Sequence, residues 1–220
     1  MPESRVKGHS SRPYSSSVRA EAARRTRFRV VQAAGHLFVE RGYAATSLHD
    51  IANAAGVARP TVTAAFGSKA TILGEVLDVA LAGDDEPVPV RERPWFAPVW
   101  QAATGSGCLE AYADVVVLIS ERAAEVVEVI HRASDGGPGV EELWQRWQRN
   151  RRLGAAMVID RDVVLAGLRP GIERDAAVDV LWALNDSSLY RALVRDAGWS
   201  TQAYRRWLAD SMCRLLLGRA

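Results

Sequence analysis

The sequence is short of several things, and each shortage excludes a class. No run approaches the ~18 consecutive apolar residues that a membrane-spanning helix requires, so no transmembrane span is expected. The N-terminus is basic and serine-rich but lacks the apolar central stretch of a secretory signal. Cysteine is scarce. Cys108 and Cys213 stand far apart, with spacing for neither a zinc site nor a disulfide framework, and read as free thiols in a reducing cytoplasm. The histidines, His9, His36, His49 and His131, share no metal-ligand spacing, so neither a metal nor a cofactor is expected. His36 reads as a structural residue of the first helix, and His131 near Asp135 as a helix-end histidine beside a loop. The carboxylate pairs Glu141–Glu142 and Asp160/Asp162 read as helix-start acids or a solvated face. Gly105-Ser106-Gly107 follows no strand and is too short to cradle a phosphate, so it reads as a loop. No nucleophile–base pair emerges, and an enzyme is not expected. Lysine is nearly missing: Lys7 and Lys69 are the only two, and arginine carries the rest of the positive charge.

What is present is the composition of a globular chain, with 48% hydrophobic and 25% charged residues among 220. The formal net charge is only +2, but it is unevenly placed. Arg5, Lys7, Arg12, Arg19, Arg24, Arg25, Arg27 and Arg29 face only Glu3 and Glu21 in residues 1–29. Residues 1–18 read as a disordered basic arm, and the pattern turns helical from Val18. Val30, Val31, Ala34, Leu37 and Phe38 recur at three- and four-residue steps until Gly42 stops the helix. Shorter helices are expected at 47–54, 59–66 and 68–82, before Gly83-Asp84-Asp85-Glu86-Pro87-Val88-Pro89 breaks the pattern. Further helices are expected at 94–103, 107–133, 139–159, 174–195 and 200–217. The apolar run Val115–Ile119 is read as a buried helix turn rather than a strand, because its setting is long and rich in Ala and Glu.

Between Ser47 and Phe66 the sequence reads as two helices and a tight turn. Ser47 can cap the first helix, with Asp50 three residues on as an acidic capping-box partner. Leu48, Ile51, Ala52 and Ala55 form its inward face, Gly56 marks the reversal, and Pro60 suits the first turn of the second helix. Val62 and Phe66, four apart, anchor that helix, and Ala52 is small where the two cross. The spacing Ala52, Gly56, Val62 is that of a helix-turn-helix.

The surrounding stretch resembles the N-terminal domain of the TetR family of bacterial transcriptional regulators. The matching residues run from Val31-x-Ala33-Ala34-x-x-Leu37-Phe38-x-Glu40-x-Gly42-Tyr43 through Thr46-Ser47-Leu48-x-Asp50-Ile51-Ala52. They continue through Ala55-Gly56-Val57-x-Arg59-Pro60-Thr61-Val62 to Phe66-x-Ser68-Lys69-x-x-Ile72-Leu73. Gly167-Leu168-Arg169-Pro170-Gly171, Asp179–Leu184 and the Leu193–Leu208 segment are similar to one branch of the family's C-terminal domain. The resemblance implies an all-α protein: a three-helix helix-turn-helix DNA-binding domain at 19–67, a connector helix at 68–82, and a helical ligand-binding and dimerisation domain at 83–220. It places Ser47, His49, Arg59, Pro60, Thr61, Thr63 and Lys69 at the DNA. Arg59 and Thr61, at the start of the second helix, are positioned to reach base edges, while Ser47, His49 and Lys69 fall at phosphate-contacting positions. One departure is plain. Where the family usually has a Tyr and a further aromatic or His, this chain has Thr63, Ala64 and Ala65.

All seven tryptophans lie beyond residue 90. Most are expected in core, but such residues also line small-molecule pockets. The pocket expected from the resemblance draws on Phe96, Trp100, Tyr112, Val116, Ile119, Trp144 and Trp147. A homodimer is expected through helices 174–195 and 200–217, with Leu181, Leu184, Leu189, Trp207, Met212 and Leu216 as contributors. The reading is therefore a cytoplasmic, ligand-responsive regulator, a repressor, that binds a pseudo-palindromic operator as a dimer and answers an unidentified small-molecule effector. The alternative is a helical small-molecule-binding protein whose DNA binding is weakened or lost, favoured by the bare Ala64 and Ala65.

Overall fold

The computed structural model describes residues 12–218. The fold is all-α, with no strand among the described residues beyond one isolated antiparallel bridge between Leu168 and Leu217. Helix α1 (Arg12–Arg41) leads into α2 (Leu48–Ala55), α3 (Arg59–Phe66) and α4 (Lys69–Ala82). After two short 3₁₀ turns come α5 (Ala97–Gln101), α6 (Gly105–Ala133), α7 (Pro138–Ile159), α8 (Asp162–Leu165), α9 (Arg174–Leu184), α10 (Ser187–Tyr190) and α11 (Thr201–Leu216).

Residues 1–11 of the expected basic arm lie outside the described residues. The helix itself begins at Arg12, ahead of the expected start at Val18. The alanines, arginines and glutamate of residues 19–27 are strong helix formers, and a nucleated helix gains one hydrogen bond per residue added, which carries it through the serines. Gly105-Ser106-Gly107 is likewise not a loop. It forms the first turn of α6, because the Thr104 hydroxyl accepts from the Gly107 N–H (3.1 Å) and supplies the cap.

Two apolar clusters hold the chain together. The first joins the inward face of α1 (Val30, Val31, Ala34, Leu37, Phe38) to Ile51, Ala52, Val62, Phe66, Ile72 and Leu73. It does not stop at α4: Ala123, Val126, Val127 and Ile130 of α6 and Val140 and Leu143 of α7 belong to it. The second gathers the other half of α6, from Cys108 to Val117, with Ala155, Val158, Val178, Leu181, Tyr204, Leu208 and Met212. Helix α6 therefore serves both cores along a length of about 43 Å, at 1.5 Å per residue over its 29 residues.

The expected single helix 174–195 is broken in two. Asp186 caps the N-terminus of α10 by accepting from the Ser188 N–H (2.8 Å), and Asn185 leaves the helical path to bond the Tyr112 hydroxyl (2.9 Å) and the Arg151 guanidinium (3.1 Å). A helix through this point would leave those buried polar groups without partners. The acidic, proline-rich break after α4 is also more ordered than its composition suggests. It winds around the buried Arg93 guanidinium, which donates to the Asp84 carboxylate (2.7 Å), the Glu86 carbonyl (2.9 Å) and the Val88 carbonyl (3.0 Å). Gly83 begins this turn at φ +92°, and a Cβ there would strike the Arg122 guanidinium at 2.6 Å.

Candidate nucleic-acid interface

The second and third helices are held from opposite sides. At the start of α2, Ser47 accepts from the Asp50 N–H (3.2 Å), and its own N–H donates to the Asp50 carboxylate (2.9 Å), the reciprocal arrangement the sequence suggests. These bonds from Ser47 hold the Asp50 carboxyl below its ordinary range. The Ser47 hydroxyl hydrogen is also directed at Asp50 (2.5 Å), so the cap occupies this side chain. Gly56 ends α2 in the left-handed region at φ 65°, conformational ground that a residue with a Cβ reaches only with strain.

Helix α3 has the opposite character at its N-terminus. Its N-cap, Ala58, offers no side-chain acceptor, and Pro60 in the first turn has no N–H to satisfy. Val62 and Phe66 are buried beneath the helix, while Arg59, Pro60, Thr61, Thr63, Ala64 and Ala65 are exposed. The outward face is a compact surface carrying one guanidinium and two hydroxyls. Thr63 turns its hydroxyl back to the Arg59 carbonyl (3.3 Å), and His49 on α2 shares a contact with Asn53 (3.1 Å). Ser47, His49, Arg59, Pro60, Thr61 and Thr63 are each exposed, on or beside α2 and α3.

Lys69 is placed differently. Half-buried, it donates to the carbonyls of Tyr43 (2.6 Å) and Thr46 (2.8 Å), and its ammonium lies 4.1 Å from the centre of the Tyr43 ring. Desolvation pushes its pKa down. Two of its three N–H groups tie down the loop that presents Ser47.

Sequence reasoning passed over Arg27, counting it only among the positive charges of residues 1–29. It reaches across to Glu75 on α4 through two hydrogen bonds, one of them 2.8 Å, and donates to the Ala65 carbonyl at the end of α3 (2.8 Å). Its guanidinium also covers the Phe66 ring at 4.3 Å. Arg24 is similarly engaged, bonding Glu21 and Asp85. Two of the arginines in the positively charged stretch 1–29 are therefore committed to this chain's own acids. The only sequence signal for such a role is the shared helical face of Arg27, Val30 and Val31.

Residues 30–76 match the sequence model of the family described as bacterial regulatory proteins, tetR family. Residues 30–76 belong to the TetR family. No curated protein matches the chain. Among solved structures, the TetR-family segment and the helices after it together follow NalD, the secondary repressor of the MexAB-OprM multidrug efflux pump in Pseudomonas aeruginosa. That similarity has a TM-score of 0.68 at 23% identity, covering 91% of this chain and 100% of NalD. A transcriptional regulator from Saccharomonospora viridis in complex with choline superposes with a TM-score of 0.66 at 22% identity, covering 88% of this chain and 98% of that one. The SmeT–triclosan complex gives 0.67 at 22% identity, over 89% and 93%. At these identities the likeness is one of fold.

Above the TetR-family segment, α4, α6 and α7 enclose a cavity of about 340 Å³. Five of the aromatic and aliphatic residues expected at a pocket line it: Phe96, Tyr112, Val116, Ile119 and Trp147. Trp100 does not. It stacks on the Phe96 ring at 4.9 Å and donates its indole N–H to the Arg91 carbonyl (2.8 Å). Nor does Trp144, which stacks on His131 at 4.6 Å and packs against the N-terminal core instead. Residues the sequence did not suggest complete the lining, notably Asp78 from α4 and Arg151 and Asn185 at the inner end.

Proposed function

We propose that this protein is a ligand-responsive transcriptional repressor that binds a pseudo-palindromic operator as a homodimer in the cytoplasm. One observation carries the reading: an exposed α3 face, anchored by buried Val62 and Phe66, is joined through the single helix α4 to a half-open, mainly apolar cavity. In this reading α3 enters the major groove, Arg59 and Thr61 meet base edges, and Ser47, His49, Thr63 and Lys69 approach phosphates. The structural neighbours solved with choline and with triclosan show that the same fold holds small molecules.

The dimer surface proposed is α9 with the end of α10 and α11. Leu181, Met212 and Leu216 have no exposed surface within one chain, so they are core and not contact residues. Helix packing leaves Trp199 and Leu215 exposed, with Leu184, Leu189 and Trp207 partly so, and these form the apolar surface available to a second copy. With half-sites about 34–36 Å apart, effector-driven displacement of α4 would change the spacing of the two α3 helices and release the operator.

Enrichment of bound sequences from random duplex DNA tests the proposal. An inverted repeat is the expected product. Arg59→Ala should then relax preference at one base pair per half-site, worth about 1–3 kcal/mol. If no sequence is enriched, the small-molecule-binding alternative, with DNA binding lost at the bare α3, replaces this reading.

A further inference from the structure

The cavity has an apolar wall and an asymmetric distribution of charge. Its walls are aromatic and aliphatic: Phe96, Tyr112 and Trp147, with Val116 and Ile119 between them. Three charged side chains also line it, and two are already neutralised. At the inner end, Arg151 lies 2.7 Å from the Asp186 carboxylate and gives three further N–H groups to Gln148, Asn185 and the Trp182 carbonyl. At the rim, Arg91 lies 3.5 Å from Glu92 on the exposed side.

The third is Asp78, on the connector helix. It has no ion pair or hydrogen bond among the described residues, and it borders both this cavity and the neighbouring groove beneath residues 84–90. The acid one turn before it, Glu75, is already held by Arg27, and Arg146 of α7 is the cation whose field reaches it. Surrounding protein raises its pKa, through desolvation first of all. The Asp78 carboxylate is exposed and feels Arg146 only through its field, with no cation in contact, and the rings beyond it attract cations on their faces.

We infer that the cavity takes a lipophilic monocation, an apolar body ending in one ammonium group that pairs with the Asp78 carboxylate at the mouth. The inference rests on the cavity being the effector site of the proposed regulator. An anion is disfavoured, since four of the five Arg151 N–H groups are already engaged and Arg91 is paired. A neutral ligand of the same shape leaves the carboxylate partly desolvated and unpaired. Because Asp78 belongs to α4, the ligand's charge is read on the same helix that holds Arg27, and through it the end of α3.

Three probes of one shape separate the possibilities: 4-phenylbutylamine, 4-phenylbutanol and 4-phenylbutanoate, titrated calorimetrically into the full-length protein near neutral pH. The amine should bind about tenfold more tightly than the alcohol, the combined worth of one partly exposed charge pair and a cation–π contact. The acid should bind more weakly than either. Asp78→Asn should erase the amine's advantage and leave the alcohol unchanged. That variant should melt no lower than the original, since Asp78 is exposed and has no hydrogen bond or ion pair to lose among the described residues. Equal binding of amine and alcohol, or an amine preference surviving in Asp78→Asn, overturns the charge inference while leaving the cavity reading intact. Failure of all three probes to bind overturns both.

Discussion

At the residue scale, Lys69 shows how one position serves fold before contact. The family resemblance places it at phosphates, yet two of its donors satisfy the carbonyls of Tyr43 and Thr46, and its charge rests over an aromatic ring. Lys69→Met keeps most of the stem but leaves two carbonyls in a half-buried loop without a donor. We expect a loss of about 1–3 kcal/mol in folding stability, measured by urea unfolding. A variant as stable as the original would show that the ammonium does not hold the loop. Arg27 is the complementary case. Its identity as an arginine says only excess positive charge, but its place in α1 sets it against Phe66 and Glu75. A residue's partners across 48 positions of chain cannot be read from its own neighbours in sequence.

At the scale of elements, local chemistry was legible wherever local chemistry decides. The Ser47/Asp50 cap, the left-handed Gly56, Pro60 in the first turn and the bounds of α3 all follow from side chains within four residues of one another. The division of 174–195 into α9 and α10 did not follow, because its cause is remote. Asn185 and Asp186 are drawn out of the helical path by Arg151, more than thirty residues earlier in the chain. Arg151 has almost no exposed side chain, and burial lowers its pKa despite the carboxylate of Asp186. Arg151→Leu should therefore destabilise the protein by about 3 kcal/mol, the lower end for a broken buried pair since Asp186 keeps some contact with water. Chemical denaturation measures this. An unchanged midpoint would mean that the break between α9 and α10 has another origin.

At the scale of the whole molecule, α6 joins the two cores and α4 lies between the cavity and α3. Movement in either helix is shared by both ends, because close-packed interiors transmit displacement rather than absorb it. The same packing sorts the large apolar residues of α9, of α11 and of the turn before α11. Leu181, Met212 and Leu216 are enclosed, while Trp199 and Leu215 remain outside. Replacing both exposed residues by arginine should convert the proposed dimer to a monomer in analytical ultracentrifugation, with helicity retained and affinity for the proposed operator greatly reduced. A double variant that sediments as a dimer would place the interface elsewhere.

The sequence by itself determined the helix-turn-helix. Its caps, its glycine and its buried anchors interact within single turns, and residue type with short spacing is enough to specify them. It also marked the aromatic residues from which a pocket is made. Only the tertiary structure decided which of those residues face the cavity, that Arg27 braces α3 and that Asp78 stands at the cavity mouth without a partner. Those outcomes depend on contacts between distant segments, and both periodicity and propensity are blind to such contacts.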